Sequence, residues 1–218
     1  MRPISFTTTA LSGASTTNIC GSQTPLGAGN LTINGALATA GVATLTSATA
    51  KPRYGLTIKI SCAGSDAGRT FTVTGTKPGG GAQTEAIAGA NSSNTSSALY
   101  WETITQIAVD AATAGAITVG ANQVGATDWI PLDVYTPSPQ TAIDVNITGT
   151  VNYSVTYTNE DPWDTTITQL EKVHPDSALT GASADQTAQA TAVMRAVRLI
   201  INSGSGTAKM TITQQSTL

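Results

Sequence analysis

Charge is scarce in this sequence. Asp, Glu, Lys and Arg make up 11% of the 218 residues, against roughly 25% in ordinary soluble domains. The ten Lys and Arg residues are scattered and the net charge is −3, so the electrostatic footprint of a nucleic-acid binder is missing. No apolar run approaches the roughly 18 residues of a membrane span, and no membrane partner is expected. The opening "MRPISFTTTALSGAS" lacks an apolar h-region, so no signal peptide is expected there. Asn-x-Ser/Thr matches such as Asn30 then carry no glycosylation meaning. Histidine occurs once, as His174, with Pro175 after it. A nucleophilic triad is defined by partners and geometry, and no G-x-S-x-G elbow accompanies this histidine. Cysteine occurs twice, at Cys20 and Cys62, in neither a metal nor a redox spacing. They read as small buried thiols, and a disulfide would need the fold to bring them together.

What fills the chain instead is Thr, Ser, Ala, Gly and Asn, with enough Val and Ile to favour pleated strands. Disorder does not fit, because disordered chains are charged and poor in β-branched residues. Alternation with period two recurs. In "GLTIKIS", Leu56, Ile58 and Ile60 share a face. In "RTFTVTGT", Phe71 and Val73 point one way and Thr70, Thr72 and Thr74 the other. A Pro-Gly turn leads to a strand with Ile87, and "LYWETITQIAV" and "GAITVG" add two more. "NSSNTSS" reads as a polar loop. Asn34–Gly35 is a hairpin signal, since both residues tolerate positive φ. Turns recur about every ten residues, as in a β-sandwich or barrel.

Two domains are expected, 1–127 and 128–218, with a linker around 128–141 where Pro137 and Pro139 interrupt the strands. The second carries alternating Val145, Ile147, Val151, Tyr153, Val155 and Tyr157. A polar stretch follows, with one short helix expected after a Ser183 cap. Val197, Leu199 and Ile201, then Met210 and Ile212, form the closing strands. "RYGLTIKISCAGSDAGRTFTVTG" and "RAVRLIINSGSGTAKMTITQ" share a layout, each an alternating strand, a Ser/Gly turn and a second alternating strand. The fold class is therefore all-β: two tandem antiparallel β-sandwich or jelly-roll-like domains with short strands.

Candidate chemistry is thin. "AGSDAGRT" superficially suits an anion loop, but a strand follows it and no helix N-terminus is available. Gly64, Asp66 and Gly68 read as a turn, the glycines supplying positive φ and Asp66 bonding to its own backbone. Arg69 begins the outgoing strand. The glutamates Glu85, Glu102, Glu160 and Glu171 are too few and scattered to suggest a glycosidase pair. Glu160, Asp161 and Asp164 cluster in "NEDPWD", a turn set by Asp161 before Pro162, without the spacing or glycine of an EF-hand calcium loop. Trp101, Trp129 and Trp163 are core anchors or, for the two near loops, an exposed platform. No catalytic, cofactor-binding or metal-ligating residue is assigned.

The segments "NLTINGALATAGVATL", "AGSDAGRTFTVTGT…GGAQTEAIAGAN" and "AIDVNITGTVNYSVTYTNEDPWD…VRLIINSGSGTAKMTITQQ" together resemble virion structural proteins of tailed bacteriophages. The resemblance covers most of the chain and rests on strand-and-turn patterns. It implies a non-enzymatic structural part without cofactor, assembled into the virion in the host cytoplasm. Its partners would be the major capsid protein or other virion proteins, and copies of itself in a homo-oligomer. A capsid decoration (cement) protein is the leading expectation. The alternatives are a neck, tail or fibre component and a carbohydrate-binding adhesin using Trp129 or Trp163.

Overall fold

A computed structural model describes residues 4–8, 15–46, 53–134, 140–164, 173–190 and 193–214. They contain no helix and form strands in this order: β1 Ile4–Thr8, β2 Cys20–Gln23, β3 Gly29–Asn30, β4 Ala38–Thr39, β5 Val42–Thr44, β6 Tyr54–Cys62, β7 Thr70–Thr76, β8 Ala82–Ala88, β9 Asn94–Ser96 and β10 Thr103–Val109. β11 Ile117–Thr127, β12 Ile130–Pro131, β13 Thr141–Thr148, β14 Val151–Thr158, β15 Val173–Pro175, β16 Gln186–Ala190, β17 Ala196–Gly204 and β18 Thr207–Gln214 complete the set. The protein is all-β. Two compact units divide the chain, Gly13–Gly125 and Ala126–Leu218 together with Met1–Ser12.

In the unit Gly13–Gly125, one sheet runs β4-β5-β10-β7-β8, with β3 also on β10. Another holds β11, β6 and β9 in sequence, with β2 on β11. The alternation seen in the sequence decides which face is buried. Phe71 and Val73 on β7, Ile104 and Ile107 on β10, Leu56, Ile58 and Ile60 on β6, and Ile117 and Val119 on β11 are almost completely enclosed. Apolar area removed from water at about 25 cal/mol per Å² is the main favourable term holding such a core. Trp101, fully buried, exchanges backbone hydrogen bonds with Leu56, at 2.8 and 2.9 Å.

In the other unit, β1-β18-β13-β16 form one sheet. β15, β14 and β17 stand side by side in another, with β12 on β17. Ile143, Val145, Met210 and Ile212 supply the buried face of the first, and Val151, Tyr153, Val155, Val197, Leu199 and Ile201 that of the second. The chain's first described strand is here. Ile4, Phe6 and Thr8 stand in register with Ile212, Met210 and Ala208.

Several local expectations change. The strand pair β6 and β7 is not a hairpin, because the two strands belong to different sheets, and Ala63–Arg69 crosses between them. The same holds for β17 and β18, so the shared layout of the two segments is a strand, a crossover and a strand. The hairpin turn near the N-terminus falls at Ala40–Gly41, with φ of 51° and 78°, and not at Asn34–Gly35. Gly35 is needed for another reason: a Cβ there would lie 2.2 Å from the carbonyl carbon of Asn18. No helix follows Ser183. Residues Gln186–Ala190 pair with Thr141–Val145 instead, and this tertiary pairing overrides the helix preference of the Ala-rich stretch. "NSSNTSS" holds β9, which pairs with Lys59–Ser61. Pro137 and Pro139 lie outside the described residues.

Candidate interaction surface

The residues singled out by their chemistry are used mainly for building. Asp66 is fully buried, and its Oδ1 accepts the N–H of Ala114 at 2.6 Å, while Oδ2 has no hydrogen-bond partner. The carboxylate therefore ties the 63–69 crossover to the 110–116 loop and does not bond back to its own backbone. Gly64 and Gly68 do not adopt positive φ. Gly64 serves close approach: a Cβ there would stand 2.5 Å from the Gly115 nitrogen, and one on Gly115 2.4 Å from the Gly64 nitrogen. The Arg69 N–H bonds the Asp66 carbonyl at 2.9 Å.

Among the glutamates, Glu85 accepts the N–H groups of Ala98 and Leu99, at 2.6 and 3.3 Å. Glu102 is 2% exposed and pairs with Arg53 at 2.8 Å. Glu171 lies outside the described residues. Asp161 Oδ1 accepts the N–H of Trp163 at 3.0 Å, and its other oxygen pairs with Arg195. No group of three or more His, Cys, Asp or Glu side chains that could hold a metal is found among the described residues. His174 stands in β15, in register with Tyr157.

Both cysteines are free and buried. Burial pushes the Cys20 thiol up to about 12. Cys62 is also raised, first by burial and then by the nearby Asp66 carboxylate, against a lowering hydrogen bond at Ala90. Neither is a poised nucleophile, because the thiolate is the reactive form. The Tyr153 hydroxyl is raised too, by burial and then by Asp185 and Asp144. It donates to the Ala184 carbonyl at 3.0 Å.

The three tryptophans part company. Trp101 is core. Trp129 is half-buried, with the Arg198 guanidinium 4.6 Å from its ring centre. Arg198 Nε is held in turn by Thr156 Oγ1 at 3.2 Å. Trp163 is exposed.

The feature that stands out is the outer face of β10, β7 and β8. Register places Ala82, Thr76 and Thr103 in one row across the strands, Thr84, Thr74 and Gln106 in the next, and Ala86, Thr72 and Ala108 in a third. Thr70 pairs with Ala88, Thr103 continues to Thr44, and Ala108 to Asn30. Every one of these positions is exposed or half-buried, and none is charged; the grid ends at the exposed Asp110 just past β10, whose N–H bonds the Thr70 carbonyl at 3.2 Å. The carboxylate of β8, Glu85, is turned the other way, onto the 98–99 backbone. Strand rise and spacing make this a grid mainly of Thr and Ala, with Gln106 its one long side chain, about 6.8 Å apart along a strand and about 4.8 Å across. Such a face is cheap to desolvate, since no ion must shed its hydration, and short side chains lose little rotamer entropy on contact. The Thr alternation of β7 was legible in the sequence. The partnership with alternate residues of β8 and β10 needed the register.

No protein-family model matches the chain, and no curated protein matches it.

Proposed function

We propose that the protein is a structural virion component of a tailed bacteriophage, and specifically a capsid decoration protein that binds and stabilises the head lattice. The observation that carries this reading is the uncharged Thr/Ala face of β10, β7 and β8. A face of this kind suits permanent cover by another protein surface, and the sequence resemblance supplies the setting. Multiplied over a lattice, a modest contact becomes strong attachment through avidity. The partner on this reading is the major capsid protein or another virion protein. Copies associate as a homo-oligomer whose symmetry follows the lattice. No catalytic step is assigned.

The test uses purified protein and expanded shells assembled without it. Saturable binding, with labelled protein spread evenly over the shell in electron micrographs, is the expected result. Label confined to one vertex would move the protein to the neck or tail. No binding to shells or virions would end the virion reading.

A further inference from the structure

A sheet edge is a row of unpaired backbone donors and acceptors unless something covers or defends it. Most edges among the described residues are short or covered. β4 has two residues, and β9 and β15 have three each. Along β8, Gln83 Nε2 donates to the Tyr100 carbonyl at 2.6 Å and Glu85 takes the Ala98 N–H at 2.6 Å. β16 has neither protection. Its five residues, Gln186–Ala190, pair with β13 on one side, and among the described residues no strand pairs with the other. The run "QTAQA" holds no charge and no proline. Its register with β13 passes from Val145 to Thr141 without a shift, so no bulge turns the edge away. Asp185, just before it, is engaged by the Ile147 N–H at 2.7 Å. Charges, prolines and bulges are the usual devices against edge-to-edge pairing, and β16 carries none of them.

The strand's own alternation restricts what can add to it. Ala188 is 7% exposed and stands opposite the buried Ile143. Thr187 and Gln189, opposite Asp144 and Ala142, are exposed, and Thr187 Oγ1 donates to Asp144 Oδ1 at 2.8 Å. An incoming strand must match the inward row and the outward row together, because a slip of one residue would set Ala188 against an outward-facing side chain. A second copy of β16 meets this condition. Run antiparallel about Ala188, it sets Ala188 against Ala188, Thr187 against Gln189 and Gln186 against Ala190. Each pair then shares a face, and no like charges oppose one another, which would cost stability.

We infer that β16 is the pairing edge for β16 of a second copy, antiparallel and centred on Ala188, so that two four-stranded sheets become one continuous sheet. The contact is isologous and closes after two copies. The competing partner is β1 of another copy, from the opposite edge of the same sheet. That contact is head-to-tail and leaves an edge open at each end of a pair. Five residues a side fall short of the roughly 20–30 a side of a standard interface. The pairing is therefore weak between free chains and tightens where copies are held side by side. It uses a different strand from the uncharged face of β10, β7 and β8, and it holds whether or not the protein belongs to a virion.

Disulfide trapping of the full chain tests the register. Thr187→Cys and Gln189→Cys chains are mixed and treated with a mild thiol oxidant. A dimer linked from 187 to 189 is expected from the mixture and much less from either variant alone, because neither new cysteine faces its own copy. Cys20 and Cys62 are buried and stay out of the reaction. Charge exchange tests the same pairs. Thr187→Lys with Gln189→Lys in one chain opposes lysine to lysine twice, and sedimentation at high protein concentration should show association weakened about tenfold or more. Thr187→Lys with Gln189→Glu should restore it, since each lysine then faces a glutamate. Both positions are exposed, so melting temperatures close to that of the parent protein are expected throughout. Absence of the 187–189 disulfide, or equal association of the two double variants, would overturn the inference. So would trapping of Thr187→Cys with Ser5→Cys instead, which would put β1 of another copy on this edge. None of these readouts involves shells, so a failure of shell binding and a failure of this pairing are told apart.

Discussion

Gly64 and Gly115 meet backbone to backbone, and their lack of a side chain is what joins the crossover after β6 to the loop before β11. Gly64→Ala would place its Cβ 2.5 Å from a main-chain nitrogen, which no rotamer change relieves. A loss of about 1–3 kcal/mol or more in urea unfolding is expected, as for other overpacked sites. Gly68, four residues on, has nothing within 4 Å of its would-be Cβ, and its φ is not positive. Gly68→Ala is therefore expected to be neutral or to stabilise by about 0.4–1 kcal/mol through the unfolded state. Equal effects of the two changes would contradict the close-approach account. Cys20 gives a second test at this scale. Its thiol holds its proton from the ordinary 9.0 up to about 12 in the folded protein, while the unfolded thiol ionises near its ordinary value. In that window the unfolded state binds fewer protons, so stability falls as pH rises, by about 1.4 kcal/mol per unit at most, and the contribution is intact below it. Urea melts at about pH 8 and about pH 10.5 should show a steeper alkaline loss for the parent than for Cys20→Ala. Parallel losses would mean that Cys20 ionises freely in the folded chain.

At the scale of elements, period-two alternation carried most of the legible information. The buried Leu56, Ile58 and Ile60 of β6, Phe71 and Val73 of β7, and Met210 and Ile212 of β18 follow directly from it. What alternation cannot reveal is which strand lies beside which. The run before β7 looks like a hairpin turn locally, yet it changes sheets. β9 has no apolar pattern because its exposed ends face water, and β16 forms where Ala content favours a helix. The candidate surface was half legible for the same reason. Thr70, Thr72, Thr74 and Thr76 are visible in one string, but the uncharged grid exists only once β8 and β10 are in register beside them. Its importance is testable. Thr72→Lys and Ala86→Lys each put an ammonium on the face, opposite one another in register. Single changes at such solvent-facing strand positions typically move stability by no more than about 0.5 kcal/mol. Shell binding in the assay above should weaken about tenfold or more per lysine, because each charge would be buried without a partner. Shell binding indifferent to both lysines would remove this face from the proposed contact.

At the scale of the whole molecule, chain order and compact units do not coincide. The first described strand, Ile4–Thr8, adds to the edge of β18 in a unit otherwise built from Ala126 onward. An edge strand donates and accepts on one side only, and an uncovered edge is a template for pairing with another chain. β1 therefore has two consequences in one element: it extends the β13–β18 sheet and it occupies the β18 edge. Each cross-strand pair contributes about 0.2–1 kcal/mol, and five residues stand in register here. Deleting residues 1–8 should lower hydrogen-exchange protection of Thr207–Gln214 first, and of Thr141–Thr148 less, since β13 keeps β16 on its other side. Protection of β6, β7 and β10 in the other unit should stay as it was. The freed β18 edge should also promote association that a synthetic peptide of residues 1–8 suppresses. If protection fell equally in both units, the strand would be supporting the molecule as a single cooperative body. If β18 kept full protection and the truncated chain stayed dispersed, β1 would add neither stability nor cover to that edge.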